Sequence, residues 1–506
     1  MSADRGHEAG ARSLDHSLVS GMAWTAALRW PAQAISWIAT AYAARLLAPS
    51  DYGLVSMAML AIGLVRMVED FGLDAILVQD RSIVGVQQAR LAGFVLLAGV
   101  TLSLLFVGLA VPVSHFFGEA QVAPIVMLLS LLCVADALQV VPRAALQREM
   151  QFARLAWAQF LQVMVTQGTL VLGATLGWGV WALVFNSLAG AAAVTLLLLW
   201  WHPYRVSVPR EFGTLARPLL QGWRVLASRM AYYGYSNADQ VVVGKLIGKE
   251  ALGAYSFATT LSTTLSQEIA SVVSRVVPGI FSAVQKDPAE LRRYFLLLTE
   301  LVAYVTLPIS VGIALTADYA VSIVLGPQWE AVVMPLRLLC IYAGYYTCQM
   351  LIGPVLMWTG QFRANMWCSV LAGIGLPLGF LIGSRGGLEG VALSWSIVFP
   401  LVNLPAMIIA FRTMRSGFLE WLNALMPAAL ASLVLSAAVL GARALLSPEL
   451  ATGWAAAIAV LAGALGYLAA LGLLFRRRVL VIWAFLMALR NQRDAAGRAS
   501  AAAPAA

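Results

Sequence analysis

Runs of about twenty apolar residues, rich in Leu, Ala and Val, follow one another along this chain, and short polar segments carrying Arg, Gly and Pro separate them. A helix of that length crosses ~30 Å of hydrocarbon. The alternating ~10-residue strands of a membrane barrel are missing. Lipid offers no partner to backbone N–H and C=O groups, so spans of this kind are helical. The pattern predicts spans over Leu18–Leu47, Tyr52–Phe71, Ala89–Val113, Gln121–Val141, Phe152–Leu176 and Val180–Trp201. A second set follows over Leu219–Leu246, Leu252–Val277, Tyr294–Ala317, Val332–Trp358, Ala364–Ile382 and Leu388–Phe411. Two more lie at Leu422–Leu440 and Gly453–Phe475. The first span of each half is longer than a membrane needs, which predicts tilt or protrusion, and Pro31 predicts a kink.

Composition agrees with this pattern. Of 506 residues, 61% are hydrophobic and 11% charged, against roughly 25% charged in soluble domains. That is too little charge to cover the surfaces of several soluble domains. Cys133, Cys340, Cys348 and Cys368 all fall inside apolar runs without metal-ligand spacing, and read as small packing residues.

Loop arginines and lysines set the orientation. With the N-terminus in the cytoplasm, 22 of the 33 Lys and Arg residues fall on the cytoplasmic side, and only Arg45, Lys245, Lys249, Arg385 and Arg443 on the other. The expectation is a protein of the bacterial inner membrane with both termini cytoplasmic. The net charge of +9 is scattered over many loops, so it speaks for anionic lipid and against nucleic acid. The first sixteen residues are polar and lack the short apolar core of a cleavable signal peptide. After the last span, Arg476–Arg478 and the apolar run behind them predict a helix lying in the interface, followed by an Ala-rich disordered tail.

The two halves resemble each other. Arg45-LLAPSDYGLVSMA aligns with Lys245-LIGKEALGAYSFA at an offset of 200, so that Gly53 meets Gly253 and Ser56 meets Ser256. Gly118 then aligns with Gly326, Cys133 with Cys340, Gln151-Phe152 with Gln361-Phe362, and Gly179-Val180 with Gly390-Val391. Six spans per repeat is an even number, so the halves share one orientation and are expected to relate through an axis along the membrane normal. The predicted fold is an all-α integral membrane protein of about fourteen helices, in two six-helix lobes plus an extra C-terminal pair. Its expected divisions are a cytoplasmic segment 1–16, an N-lobe 17–203, a C-lobe 204–412, the extra pair 413–475, and an interfacial helix and tail 476–506.

Six arginines remain inside spans: Arg29, Arg66, Arg224, Arg229, Arg275 and Arg337. A charge at the bilayer centre costs at least ~2.5–3.5 kcal/mol, so such residues face a cavity or a partner. Arg29 and Arg66 lie on the first two spans of the first half, and Arg224, Arg229 and Arg275 on the first two of the second. In the eighth span Thr264, Glu268, Ser271 and Arg275 share one helix face; in the seventh, Arg224, Ser228, Tyr235 and Asp239 form a similar stripe, with Arg229, Tyr233 and Gln240 beside it. A water-filled, cationic cavity accounts for all of them. Each has a plainer reading: Arg66 near its span end can snorkel, and with Glu69 and Asp70 it can form a local ion pair. Arg337 reads as structural or as lying near a membrane face. Asp70, Asp239 and Glu268 either hold a coupling Na+ or H+ or balance the arginines.

Chemistry finds little to stand on. The segment around Gly244 and Gly248 lacks a P-loop, the histidines (His7, His16, His115, His202) are dispersed, and no long extramembrane loop is present to house a catalytic domain. The chain reads as a transporter with no cofactor and no metal centre, not an enzyme.

Three segments carry a family resemblance: RLLAPSDYGLVSMA at Arg45–Ala58, EDFGLDAILVQ at Glu69–Gln79, and NADQVVVGKLIGKEALGAYSFA at Asn237–Ala258. With the length and the six-plus-six-plus-two plan, the chain resembles the polysaccharide-transporter branch of the MOP flippase superfamily, the Wzx-type exporters. The resemblance implies two lobes that flip an undecaprenyl-pyrophosphate-linked oligosaccharide outward by alternating access. It implies cavity positions at Arg29, Arg66, Arg224, Arg229 and Arg275, where guanidinium groups suit pyrophosphate oxygens. Tyr232, Tyr233 and Tyr235 are placed to pack on sugar rings. A polysaccharide polymerase and a chain-length regulator are the implied partners. Rival readings are a lipid II flippase, a cation-coupled drug exporter of the same superfamily, and a membrane polysaccharide polymerase or ligase.

Overall fold

The computed structural model describes residues 28–69, 85–207, 230, 232–445, 452–480 and 487, with side chains except at 64–69, 265, 272, 274–276 and 452. These residues are helical, and among them there is no strand. In the first half α1 covers Leu28–Leu46, α2 Pro49–Glu69, α3 Val86–Phe117, α4 Val122–Leu129, α5 Leu131–Arg148, α6 Phe152–Thr175 and α7 Val180–Trp201. Then come α8 Ala238–Leu246, α9 Lys249–Val284, α10 Pro288–Ala320, α11 Val333–Gln349, α12 Ile352–Trp358, α13 Phe362–Gly383, α14 Gly387–Met414, α15 Phe418–Leu445 and α16 Thr452–Leu474. Among the described residues, nine helical stretches are long and apolar enough to cross a membrane, and α1 with the start of α2 forms a further bent candidate with a 119° break. The chain is therefore a multi-pass membrane protein. Each segment expected to span carries helix among its described residues, the first from 28 onward, the second up to 69 and the seventh from 230 onward.

Two compact units emerge. The first holds residues up to Ser256 together with Val324–Trp329; the second holds Phe257–Ile323 and everything from Glu330. Ala238–Ser256, assigned to the second lobe by the repeat, packs within the first unit, so packing units and repeat units are drawn differently.

Lipid supplies no hydrophobic drive between helices, so close approach at small residues and buried polar pairs take over. In the first unit, a Cβ on Gly99 would meet Ala137, and one on Gly173 would meet Ala182. The Gln139 amide donates to Thr195 Oγ1 at 2.7 Å, and both residues are buried. In the second unit, Gly375 faces Val402, Gly379 faces Val398 and Gly383 faces Gly390. That descending register makes α13 and α14 an antiparallel hairpin, turned over by Ser384–Gly386.

Helix ends follow their sequences. Asp287 caps α10, accepting from Ala289 N at 2.9 Å ahead of Pro288. At the α1–α2 break, Pro49 opens α2 and the Asp51 carboxylate reaches back to the Ala48 N–H at 3.0 Å.

Within the second unit the extra pair, α15 and α16, packs on α10. Asp318 at the end of α10 receives both Arg443 of α15 and, at 3.4 Å, Arg337 of α11. At the other end, Arg292 meets Glu420 at 2.5 Å. In α16 the Tyr467 hydroxyl donates to Tyr304 O at 2.9 Å. Arg337 is thus a partner in a structural ion cluster. Cys133, Cys340 and Cys348 are buried, and all four cysteines are free thiols.

Candidate functional site

Arg29, Gln33 and Ser36 recur at i, i+4 and i+7, which sets them on one face of α1. They line a groove of about 150 Å³ against Gln159, Phe160 and Val163 of α6. Gln167, two turns further along α6, donates its amide to Ser36 Oγ at 2.9 Å, and its buried Oε1 finds no donor among the described residues. The exposed Arg29 guanidinium thus sits at one end of a stripe of neutral amides and hydroxyls, and no carboxylate stands among the described lining residues. Such a stripe suits an anion or a polyhydroxylated ligand better than an organic cation.

Of the other expected site residues, five fall wholly or by side chain outside the described residues. Arg66 belongs to α2 and Arg275 to α9 by backbone, but their side chains lie outside the described set, as do Asp70, Arg224 and Arg229 altogether. Tyr233 presses its ring into the space left by the missing side chain of Gly63, where a Cβ would meet its Cζ at 2.7 Å. Its hydroxyl donates to Leu60 O at 3.2 Å. Tyr232 and Tyr235 meet edge to face at 5.2 Å. Asp239 is 1% exposed. It accepts from the Tyr255 hydroxyl and from Gln240 N, both at 2.8 Å, which ties α8 to α9. Glu268 is exposed on α9 in the second unit.

A second feature escaped the sequence reading. The aligned corners of the two repeats, Pro49–Gly53 and Lys249–Gly253, cross each other. A Cβ on Gly53 would run into Lys249 O, and one on Gly253 into Pro49 O. Each corner thus meets the other through the equivalent pair of residues. Three residues on, Ser56 Oγ donates to Ser256 Oγ at 3.1 Å. The pairs that align at an offset of 200 are contact pairs. Glycine is required at both positions because backbone stands where a side chain would be.

Each corner is also held by the far end of a helix from the other half. Ala44 O accepts Gln328 Nε2 at 2.9 Å and Trp329 Nε1 at 2.7 Å, and Arg45 Nε donates to Val324 O at 3.1 Å. Trp329 is wholly buried and meets Tyr52 edge to face at 5.2 Å. At the second corner, Lys249 Nζ pairs with Glu119 at 3.0 Å, and Lys245 Nζ lies over the Phe116 ring at 5.2 Å. The two clasping segments contain the aligned Gly118 and Gly326, whose φ values of 78° and 100° let the chain turn. The sequence signal was the pairing of Gly53 with Gly253 and Gly118 with Gly326, read there as ancestry instead of contact.

A multi-pass helical protein with a cationic groove in its first unit and interlocked corners has the features of a membrane transporter. The profile of the family described as "Polysaccharide biosynthesis protein" matches residues 43–334, a range that takes in both corners and their clasps. The chain belongs to that family. Among its relatives, the lipopolysaccharide biosynthesis protein WzxC of Escherichia coli (strain K12) is 22% identical over 401 residues, covering 76% of this chain and 79% of its own length. The succinoglycan biosynthesis transport protein ExoT of Rhizobium meliloti (strain 1021) is 25% identical, covering 80% and 82%. The teichuronic acid biosynthesis protein TuaB of Bacillus subtilis (strain 168) is 25% identical, covering 66% and 70%. In fold, the chain is similar to the lipid II flippase MurJ in an inward closed conformation, with a TM-score of 0.72 at 12% identity over 90% of this chain and 99% of that one. An inward-facing multidrug resistance MATE family transporter of the MOP superfamily gives 0.57 at 15% identity over 76% and 94%.

Proposed function

We propose that this protein flips undecaprenyl-pyrophosphate-linked oligosaccharide units from the cytoplasmic to the extracytoplasmic leaflet of the inner membrane by alternating access, without covalent chemistry on its substrate. Family membership and the relatives named for lipopolysaccharide, succinoglycan and teichuronic acid biosynthesis support the substrate class. The observation that carries the reading is the α1–α6 stripe: a guanidinium among neutral hydrogen-bonding groups, matched to a pyrophosphate bearing sugars. Arg66, Arg224, Arg229 and Arg275 are proposed as further cations of the path, with Na+ or H+ or consumption of the glycan outside as the drive. A polymerase and a chain-length regulator would take the product. The arginine count places the interlocked corners on the extracytoplasmic side, where we assign them as the closed end of the path. Similarity of fold to a lipid II flippase favours one second reading, in which the cargo is the peptidoglycan precursor.

Deletion and complementation test this. The deletion strain should lose its surface polymer and accumulate lipid-linked repeat units on the cytoplasmic face, and well-expressed Arg29→Ala should fail to restore export. Unchanged polymer with arrested cell-wall synthesis would select the lipid II reading. Unchanged polymer with raised drug sensitivity would contradict both.

A further inference from the structure

The start of α3, the last turn of α5 and the segment following α7 flank an open cavity of about 690 Å³ in the first unit, within the ~300–1,000 Å³ of small-molecule sites. Arg148, Arg205 and His202 line it, with Gln88 and Tyr204 between them. Among the described lining residues Glu149 is the one acid; His202 Nε2 holds it at 3.2 Å and Gln151 Nε2 at 2.6 Å. Two guanidinium groups therefore face the cavity against a carboxylate engaged from two sides.

The walls are fixed. The Tyr204 hydroxyl donates to Leu138 O at 3.1 Å, which pins the segment to α5, and Ser207 N donates to Ala89 O at 2.9 Å, which pins it to α3. At the end of α7, two residues ahead of His202, Trp200 is 77% exposed, and Arg154 lies over the Trp201 ring at 5.9 Å. Exposed tryptophan at a span end marks the headgroup level of a bilayer. None of the lining belongs to α1, α2 or α6, so the cavity is separate from the Arg29 groove. On the arginine count it opens to the cytoplasmic leaflet, where anionic lipid is concentrated.

We infer that this cavity binds the phosphate headgroup of an anionic phospholipid, as a site distinct from the transport path, with Arg148 and Arg205 as phosphate donors and Glu149 as a restraint on affinity. The occupant is a lipid of the bulk membrane because the cavity stands at headgroup height beside lipid-facing tryptophan, away from the groove assigned to cargo.

The test uses the purified full-length protein in neutral detergent, titrated with dioleoyl phosphatidylglycerol, dioleoyl phosphatidylcholine or inorganic phosphate, with thermal stability as the readout. Phosphatidylglycerol should raise the melting temperature by several degrees, and the other two should leave it in place. R148Q/R205Q should lower the apparent affinity for phosphatidylglycerol at least fivefold, Glu149→Gln should raise it, and Lys286→Gln should leave it unchanged. If the double variant fails to fold, Arg205→Gln alone, at an exposed position, carries the test with a smaller loss. Equal stabilisation by phosphatidylcholine, an undiminished response in the variants, or full stabilisation by inorganic phosphate would each overturn the inference. So would a double variant that responds normally to phosphatidylglycerol yet loses polymer export, since the cavity would then serve the cargo.

Discussion

At the first corner, the carbonyls of Ala44 and Arg45 receive Gln328 and the indole of Trp329; at the second, Lys249 reaches a carboxylate and Lys245 an aromatic face. The crossing itself is reciprocal, Gly53 on Lys249 and Gly253 on Pro49, yet the clasps differ in chemistry. The first is built around a side chain with no exposure, and its charged donor, Arg45, rests on the Val324 carbonyl. The second is ionic, and its two members are each 27% exposed. A duplicated backbone contact fixes where a helix end must sit, but leaves open what holds it there. The Gln328 and Trp329 bonds to the buried Ala44 carbonyl are neutral and little affected by salt, whereas the partly exposed Lys249–Glu119 pair is screened. The second corner is therefore the weaker latch, and the one expected to release first.

The comparison breaks most severely at Trp329. Trp329→Ala removes a fully buried ring and the donor to Ala44 O, which should cost about 3–5 kcal/mol and appear as a steep loss of thermal stability. Gly53→Ala and Gly253→Ala come next, since a Cβ has only backbone to displace; each should cost about 1–3 kcal/mol, and the near-equality of the two tests the reciprocity. Glu119→Gln should cost about 1 kcal/mol or less, an effect that fades in high salt while that of Trp329→Ala persists. The charge exchange E119K/K249E should recover part of it. Lys245→Gln is the smallest, at roughly 0.5–1 kcal/mol. A salt dependence at the first corner equal to that at the second would erase the distinction between the clasps.

Much of this was legible beforehand, and the failures have physical causes. Run length and hydropathy locate helices because lipid demands both, and the α1–α2 break falls in the gap between the spans expected to end at Leu47 and begin at Tyr52. In the stripe that holds Asp239, with Tyr233 beside it, helical spacing cannot distinguish a polar face turned to water from one satisfied by a neighbour. Asp239 is buried against Tyr255, while Tyr233 bonds a carbonyl of α2 and also lines a pocket with Phe116 and Asn237. Gln33, Ser36, Gln159 and Gln167 were passed over because neutral polar residues cost less in a span than arginine and drew no scrutiny. Trp329 reaches Ala44 across 285 residues, a separation that no local pattern encodes. Gly53 and Gly253 were seen as equivalent, and only the fold shows them touching.

The central claim is that the crossed corners close the extracytoplasmic end of a path that must open for export. Ser56→Cys and Ser256→Cys, placed together in a chain whose four native cysteines have been replaced, stand where their hydroxyls lie 3.1 Å apart. The pair should form a disulfide in the oxidising periplasm, scored by loss of thiol labelling. In the deletion strain this variant should export no polymer until a reductant is supplied, while either single cysteine exports normally. Undiminished export with the disulfide fully formed would contradict the account.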